Sequence, residues 1–261
     1  QPSTAPAGSD ASGPDGDTTT QPAGVRPPSG YPEHYSDPRE FIKLDWIEGM
    51  PYKTVHALFT ADLVPTLHEM LEDPQYDPHQ RSKVALMIGL LSRDPASIDA
   101  LLDYIRDPSD LYAVEEERGR KGLVSIRLQA VGFFGWVGGE KAERLLLELI
   151  TKQGAQNLIE DWPAESRPAW IPDEDDLVAA VRGSAAGGLV YLGTPKGLQI
   201  VEDLYEQEHG RCSATGEVSE LFNYLVSAMA RRRLIAQLGK EEYRLLHGNQ
   251  RFAALRPYLH E

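Results

Sequence analysis

Three segments of this chain repeat the same order of parts, and this recurrence constrains the fold more than any other feature. Each has an apolar stretch rich in small residues, then a tight turn, then a second amphipathic stretch; the segments are residues 83–105, 129–150 and 185–205. In the first of them Ile98, Leu101, Leu102 and Ile105 recur at three- and four-residue intervals, which is helical spacing. Period-two alternation, which strands require, is almost missing after residue 38. The segments therefore predict helical hairpins.

The turns set the register of the three hairpins. The turns lie at residues 92–95, 138–140 and 193–195. Between them they supply glycine, which ends a helix, Asp or Thr, which caps the next helix, and Pro in the first turn of that helix. The first helices also carry internal glycines, at positions such as Gly89 and Gly135, and each costs about 1 kcal/mol in helix propensity. We expect this cost to be offset by close packing of neighbouring helices.

A single hairpin of this kind cannot cover its own apolar stripe, so neighbouring hairpins must stack. Less regular pairs of helical segments precede and follow the three clear ones, at residues 51–73 and 217–246. The sequence therefore predicts an all-α fold, a right-handed α-solenoid of about five helical hairpins.

The best-formed unit, residues 179–193, reads AAVRGSAAGGLVYLG: an Ala-rich first helix that ends in Leu-Gly. It resembles the HEAT-like, armadillo-like α-helical repeats, in particular the short bacterial type, in which an arginine often stands at the position of Arg182. The resemblance extends over residues 51–246, with three strong units and two weak ones. It implies scaffold or adaptor roles and brings no shared catalytic residues, so a non-catalytic protein-interaction scaffold is the expected function.

Composition narrows the choice of partners. The formal net charge is −14, which repels phosphate backbones and anionic membrane surfaces, so nucleic acid is not an expected partner. No apolar run approaches the roughly eighteen residues of a membrane helix, so no transmembrane segment is predicted. The single cysteine, Cys212, cannot pair within the chain, and Cys and His show no zinc spacing. We expect no metal and no cofactor.

The first thirty residues are almost wholly Pro, Ser, Thr, Ala, Gly and Asp, a composition that cannot form a core. The predicted organisation is a disordered tether at 1–30, a connecting segment at 31–50, and a repeat domain at 51–261. The connecting segment is expected to hold a short helix, Pro38 to Ile47, that docks Phe41, Leu44 and Trp46 on the first repeat. A tether of this kind suggests an exported bacterial protein, periplasmic or tethered to the cell envelope by an upstream lipid anchor; a cytoplasmic protein is the alternative.

Two inserts, residues 107–122 and 154–175, are longer than solenoid turns need. The second contains Trp162 and Trp170, which either cover the apolar edge of adjacent repeats or form a binding surface. The acidic run at 173–176 is interpreted as a helix start and not as a cation site. Cys212 is expected to be an ordinary loop thiol.

Two further features concern binding. The triplet of arginines at 231–233 suits the end of a helix, and phosphate binding is its alternative role. In HEAT-like stacks the second helices usually line the concave side. Their polar faces would then present a mainly acidic groove, suited to a basic or polar segment of another protein, with contacts from Asp99, Asp103, Glu148, Glu202 and Glu206.

Two other functions remain open. One is a helical hydrolase or lyase with a groove site near the 154–175 insert, which requires titratable side chains within hydrogen-bonding reach of each other. The other is a carbohydrate-binding module that uses Trp162 and Trp170, which requires open faces on both indoles.

Overall fold

The computed structural model describes residues 36–44, 50–246 and 248–259. In these ranges the chain is helical and contains no strand. The α-helices are α1 Pro38–Phe41, α2 Tyr52–Leu58, α3 Val64–Glu72, α4 Pro78–Leu91, α5 Ala96–Arg106, α6 Ser109–Ala113, α7 Glu117–Val137, α8 Gly139–Leu149, α9 Lys152–Ile159, α10 Glu174–Leu192, α11 Pro195–Thr215, α12 Glu220–Leu238, α13 Lys240–Leu245 and α14 Gly248–Leu255. The all-α prediction is confirmed.

The three predicted turns lie between helices, as expected: they separate α4 from α5, α7 from α8, and α10 from α11. The last turn shows why its sequence works. Gly193 takes a left-handed conformation with φ of 71°, and the Thr194 side chain accepts a hydrogen bond from the Gly197 amide while Pro195 opens α11. The weaker pairs form as well, as α2 with α3 and α12 with α13.

The helices extend further into the predicted inserts than the sequence suggested. Helix α7 begins at Glu117, inside the first insert, and α9 occupies the start of the second. Helix α11 runs to Thr215, so Cys212 is buried in a helix, and the prediction of a loop thiol is wrong. At the start of α7, charged residues suggested a connection, but they lie on the solvent side of a helix.

The first helices of the hairpins contact one another in the order α4, α7, α10, α12. Glycines permit this approach: a Cβ added to Gly135 of α7 would lie 2.1 Å from the carbonyl oxygen of Gly188 in α10. One step along the row, a Cβ on Gly183 would lie 2.3 Å from the Cβ of Tyr224 in α12. Each of α5, α8 and α11 packs on its own first helix and on the next one in the row. The glycines therefore set the spacing of the row.

The last helices also contact the first ones, which the sequence did not predict. Helix α13 packs on α2, and the wholly buried Arg244 of α13 donates hydrogen bonds to the carbonyl oxygens of Gly89 and Leu90, where α4 ends. The C-terminal segment therefore joins the two ends of the helix row.

At the N-terminal end, α1 is capped by Asp37 and is shorter than predicted. Phe41 is fully buried, with its ring edge-on to Phe59 at a centroid distance of 5.1 Å, and the half-buried Leu44 packs on the same core. Docking of this segment on the first hairpin is thus confirmed for these two residues. Trp46, Ile47 and the tether at 1–30 lie outside the described residues. Among the described helices, none has the length and apolarity to cross a membrane.

Candidate binding groove

A groove of about 220 Å³ opens along the row of first helices, at the centre of the molecule's helix packing. We call it the aromatic groove. Its walls come from α7, α10 and α12, and its ends from Trp170, α2, α13 and α14. The lining residues are Tyr52, Ser125, Leu128, Gln129, Gly132, Phe133, Trp136, Trp170, Ala180, Ser184, Gly187, Tyr224, Arg231, Tyr243 and Arg251.

Packed aromatic rings form one side of the aromatic groove. The rings of Phe133 and Trp136, one turn apart on α7, lie 4.6 Å apart, and Tyr52 from α2 meets Trp136 edge-on at 6.1 Å. These rings are largely buried, whereas Trp170 at the rim is 53% exposed. Fixed rings below an exposed indole provide a rigid apolar surface for contact with a ligand.

Two arginines bring positive charge to this surface. Arg251 of α14 places its guanidinium 5.0 Å from the ring centroid of Tyr243, 5.1 Å from that of Trp136 and 5.4 Å from that of Tyr52. Arg231 comes from α12. In both, the Nε atom is buried and has no hydrogen-bond partner within the described part of the chain. Within the described part of the chain, the groove lining contains no Asp or Glu, although the whole chain has a net charge of −14.

The position of Arg231 depends on a glycine. A Cβ added to Gly187 on α10 would lie 2.4 Å from Nη1 of Arg231, which is closer than real Cβ contacts. The guanidinium therefore lies directly against the backbone of α10, in the space that a side chain at 187 would fill. This contact holds the charge at the groove wall.

Tyr52 and Tyr224 in the groove act as neutral hydrogen-bonding groups at pH 7. Burial raises the pKa of Tyr52, and burial followed by the nearby carboxylates of Glu220 and Asp176 raises the pKa of Tyr224 to about 12. The hydroxyl of Tyr52 donates to Oε1 of Gln129 at 3.4 Å. The groove thus offers hydroxyl, amide and guanidinium groups beside aromatic rings, an arrangement suited to binding.

The five acids predicted to line the concave side do not line the aromatic groove. Asp99 forms an ion pair with Lys141, and Glu202 forms one with Arg232, so neither presents a free charge. Asp103 lies beside the buried Arg127 at a separate site, while Glu148 and Glu206 are exposed. That the second helices line an acidic concave groove stays a prediction; the aromatic groove follows the first helices, which the glycines bring close together.

The two tryptophans of the second insert have separate roles. Trp162 is buried, with 8% of its surface exposed, and its Nε1–H donates to the carbonyl oxygen of Ile105 at 3.1 Å. Its ring also lies under the guanidinium of Arg127, 5.9 Å from the ring centroid. It covers the edge of the adjacent hairpin. Trp162 and Trp170 line different grooves, and of the two only Trp170 reaches the aromatic groove, so they do not share one carbohydrate site.

The two remaining charged motifs are the acidic run, which has a structural role, and the arginine triplet, whose members differ in their contacts. Asp173 caps α10 by accepting a hydrogen bond from the Asp176 amide, and the acidic run fills the first turn, as predicted. Among the described residues, no group of three or more His, Cys, Asp or Glu could hold a metal ion. Of the arginine triplet, Arg231 lines the groove and Arg232 pairs with Glu202.

A second, polar groove of about 290 Å³ lies at the 154–175 insert, where the enzyme alternative placed its site. Side-chain amides such as Gln156 and Asn157 line it together with the carboxylates of Glu160 and Glu174. No hydrogen bond joins these two carboxylates in the described structure. The enzyme alternative, which requires titratable groups within hydrogen-bonding reach of each other, stays a prediction.

The sequence missed several residues of the aromatic groove. Tyr52, Tyr243 and Arg251 come from opposite ends of the chain, and no local pattern indicates that the ends meet. The arginine triplet was the one available signal, because Arg231 belongs to it. No known family, no curated protein and no solved structure matches this chain.

Proposed function

We propose that this protein is a non-catalytic interaction scaffold, built from stacked HEAT-like hairpins, that binds a segment of another protein in the aromatic groove. The order of helix contacts supports the stacked arrangement, since each first helix meets the first helix of the next hairpin. The composition of residues 1–30 supports the further proposal of a tethered, exported protein.

One observation carries the proposal: the exposed indole of Trp170 lines the same groove as a set of buried rings and two arginines whose Nε atoms have no hydrogen-bond partner among the described residues. Aromatic residues and arginine are the types enriched in binding hot spots. The groove volume of about 220 Å³ is also below the roughly 300–1,000 Å³ of pockets that enclose drug-sized ligands. It suits an anchoring side chain from a longer segment.

Site-specific crosslinking tests this function. A photoreactive amino acid is placed at Trp170, and in a second variant at Tyr112, which is 62% exposed and outside the groove. We expect irradiation in a native extract to give a discrete protein adduct from position 170 and none from position 112. Mass spectrometry of the adduct then identifies the bound segment.

The control separates specific binding from surface collisions, because both positions are exposed aromatics on the same fold. Equal labelling at the two positions, or labelling at 112 alone, contradicts a partner site in the aromatic groove.

A further inference from the structure

We propose that the aromatic groove selects a partner segment in which a carboxylate side chain lies next to an aromatic or aliphatic one. This inference rests on the proposed function and specifies the chemistry of its ligand. It reverses the sequence-based expectation of a basic partner, because the acids behind that expectation do not line the groove.

The first argument is the state of the two guanidinium groups. Each has a buried Nε–H without an acceptor in the described structure, and neither forms an ion pair there. A buried donor without an acceptor is costly, and an arginine held against rings has lost part of its hydration. Arg251 also donates from Nη2 to the carbonyl oxygen of Leu246. A carboxylate in the groove reaches the guanidinium nitrogens that remain open to it and forms charge-assisted hydrogen bonds there.

The second argument is charge complementarity within the groove. Among the described residues, its lining holds two positive charges and no negative one, so a carboxylate meets attraction there, whereas a lysine or arginine meets repulsion. The rest of this net-negative chain repels acidic segments. Acidic partners therefore gain affinity only where they reach Arg231 and Arg251, which restricts binding to the groove.

The third argument is that aromatic rings lie next to the positive charge of Arg251. The guanidinium of Arg251 lies within 5.4 Å of three ring centroids, and the same rings face the groove. A ligand that satisfies both features must present an anion and an apolar group side by side. A single acidic side chain followed by a phenylalanine or leucine meets this requirement.

Binding of short peptides tests the inference. Three peptides with blocked ends carry one phenylalanine flanked by aspartates, by asparagines or by lysines, and inorganic phosphate serves as a fourth probe. Binding is followed by the indole N–H resonance of Trp170 in NMR spectra of the full chain, assigned with the Trp170→Phe variant. We expect the aspartate peptide to bind about tenfold more tightly than the asparagine peptide, the gain from one charge-assisted contact.

Matched variants test which residues produce the preference for the aspartate peptide. Arg231→Gln and Arg251→Gln are each expected to lower the aspartate-to-asparagine ratio, and the double variant is expected to bring it close to one. Arg232→Gln, which alters the neighbouring ion-paired arginine, is expected to leave it unchanged. Gly187→Ala displaces the Arg231 guanidinium and lowers the ratio without removing the charge, whereas Gly210→Ala, with open space around position 210, does not.

The outcomes separate this inference from the proposed function. Equal affinity of the three peptides, or an unchanged ratio in the Arg231→Gln and Arg251→Gln double variant, overturns carboxylate selection while the groove remains a peptide site. Stronger binding of phosphate than of the aspartate peptide overturns it in favour of an anion site of another class. If no peptide shifts the Trp170 resonance, the inference fails, and the crosslink from position 170 decides separately whether the groove holds a partner.

Discussion

Two single glycine-to-alanine variants, each at a helical position, should change the free energy of unfolding in opposite directions. Gly135 lies in α7 and Gly210 in α11. In a helix interior, Gly→Ala alone is favourable by about 0.8–1.0 kcal/mol. Around Gly210 there is nothing within 4 Å of the added Cβ, so Gly210→Ala should show this gain.

At Gly135 the same methyl group would lie 2.1 Å from the carbonyl oxygen of Gly188 and 2.8 Å from its Cα. These are backbone atoms of α10, so α7 and α10 must move apart. Overpacking of this kind costs about 1–3 kcal/mol or more, because the contacts along the helix pair are lost together. After the propensity gain, we expect a net loss of up to about 2 kcal/mol.

The assay is chemical and thermal unfolding of both variants and the wild type. For a domain of this size, each kcal/mol corresponds to about 2–4 °C in Tm. Gly135→Ala should therefore melt several degrees lower and Gly210→Ala a few degrees higher. If Gly135→Ala is as stable as Gly210→Ala, α7 and α10 do not make this close contact, and the glycine-based account of the helix row is refuted.

Two further predictions concern buried polar groups. Trp162→Phe leaves the carbonyl oxygen of Ile105 without its donor and should lower the free energy of unfolding by about 1–3 kcal/mol. Trp170→Phe at the exposed rim should change the free energy of unfolding by less than about 0.5 kcal/mol. Equal effects of the two variants in denaturant titrations would contradict the assigned roles. Burial raises the pKa of Tyr104 to about 12, above an ordinary value of about 10, so its contribution to stability is complete below pH 10 and is lost as the pH rises through the folded-state pKa. The Tyr104 hydroxyl is buried and has no hydrogen-bond partner among the described residues, so Tyr104→Phe should be no less stable at neutral pH and should lose less stability in alkali. An equally steep loss in unfolding titrations above pH 10 would disprove this.

The helices and their turns were predictable because they depend on short-range chemistry. Gly193 ends α10 and Thr194 caps α11 through backbone conformations and hydrogen bonds that span only a few residues. The glycines of the first helices also indicated close packing, which the approach of Gly135 to Gly188 confirms. Helix lengths were less predictable, since charged residues such as Glu117 occur both in connections and on solvent-facing helix surfaces.

The binding site was less predictable than the helices. Of the residues named from the sequence as partner contacts, Trp170 lines the aromatic groove, and the acids of the second helices do not. A single hairpin does not reveal which of its faces will meet a groove, because that depends on how closely consecutive first helices approach. Trp162 and Trp170 illustrate this: they are eight residues apart in one insert, yet one is buried in the core and the other exposed at the groove.

By itself, the sequence determined that this chain is helical, where its hairpins turn and which residues allow helices to pack closely, because these properties follow from side-chain periodicity and local backbone conformation. Only the tertiary structure decided that the C-terminal helices meet α2 and α4, and with this that Arg251 enters a ring cluster made by Tyr52, Trp136 and Tyr243. Contacts between residues far apart in the chain depend on the cumulative geometry of all the helices between them, which no local pattern records. The charge of the groove is opposite to that of the whole chain for the same reason.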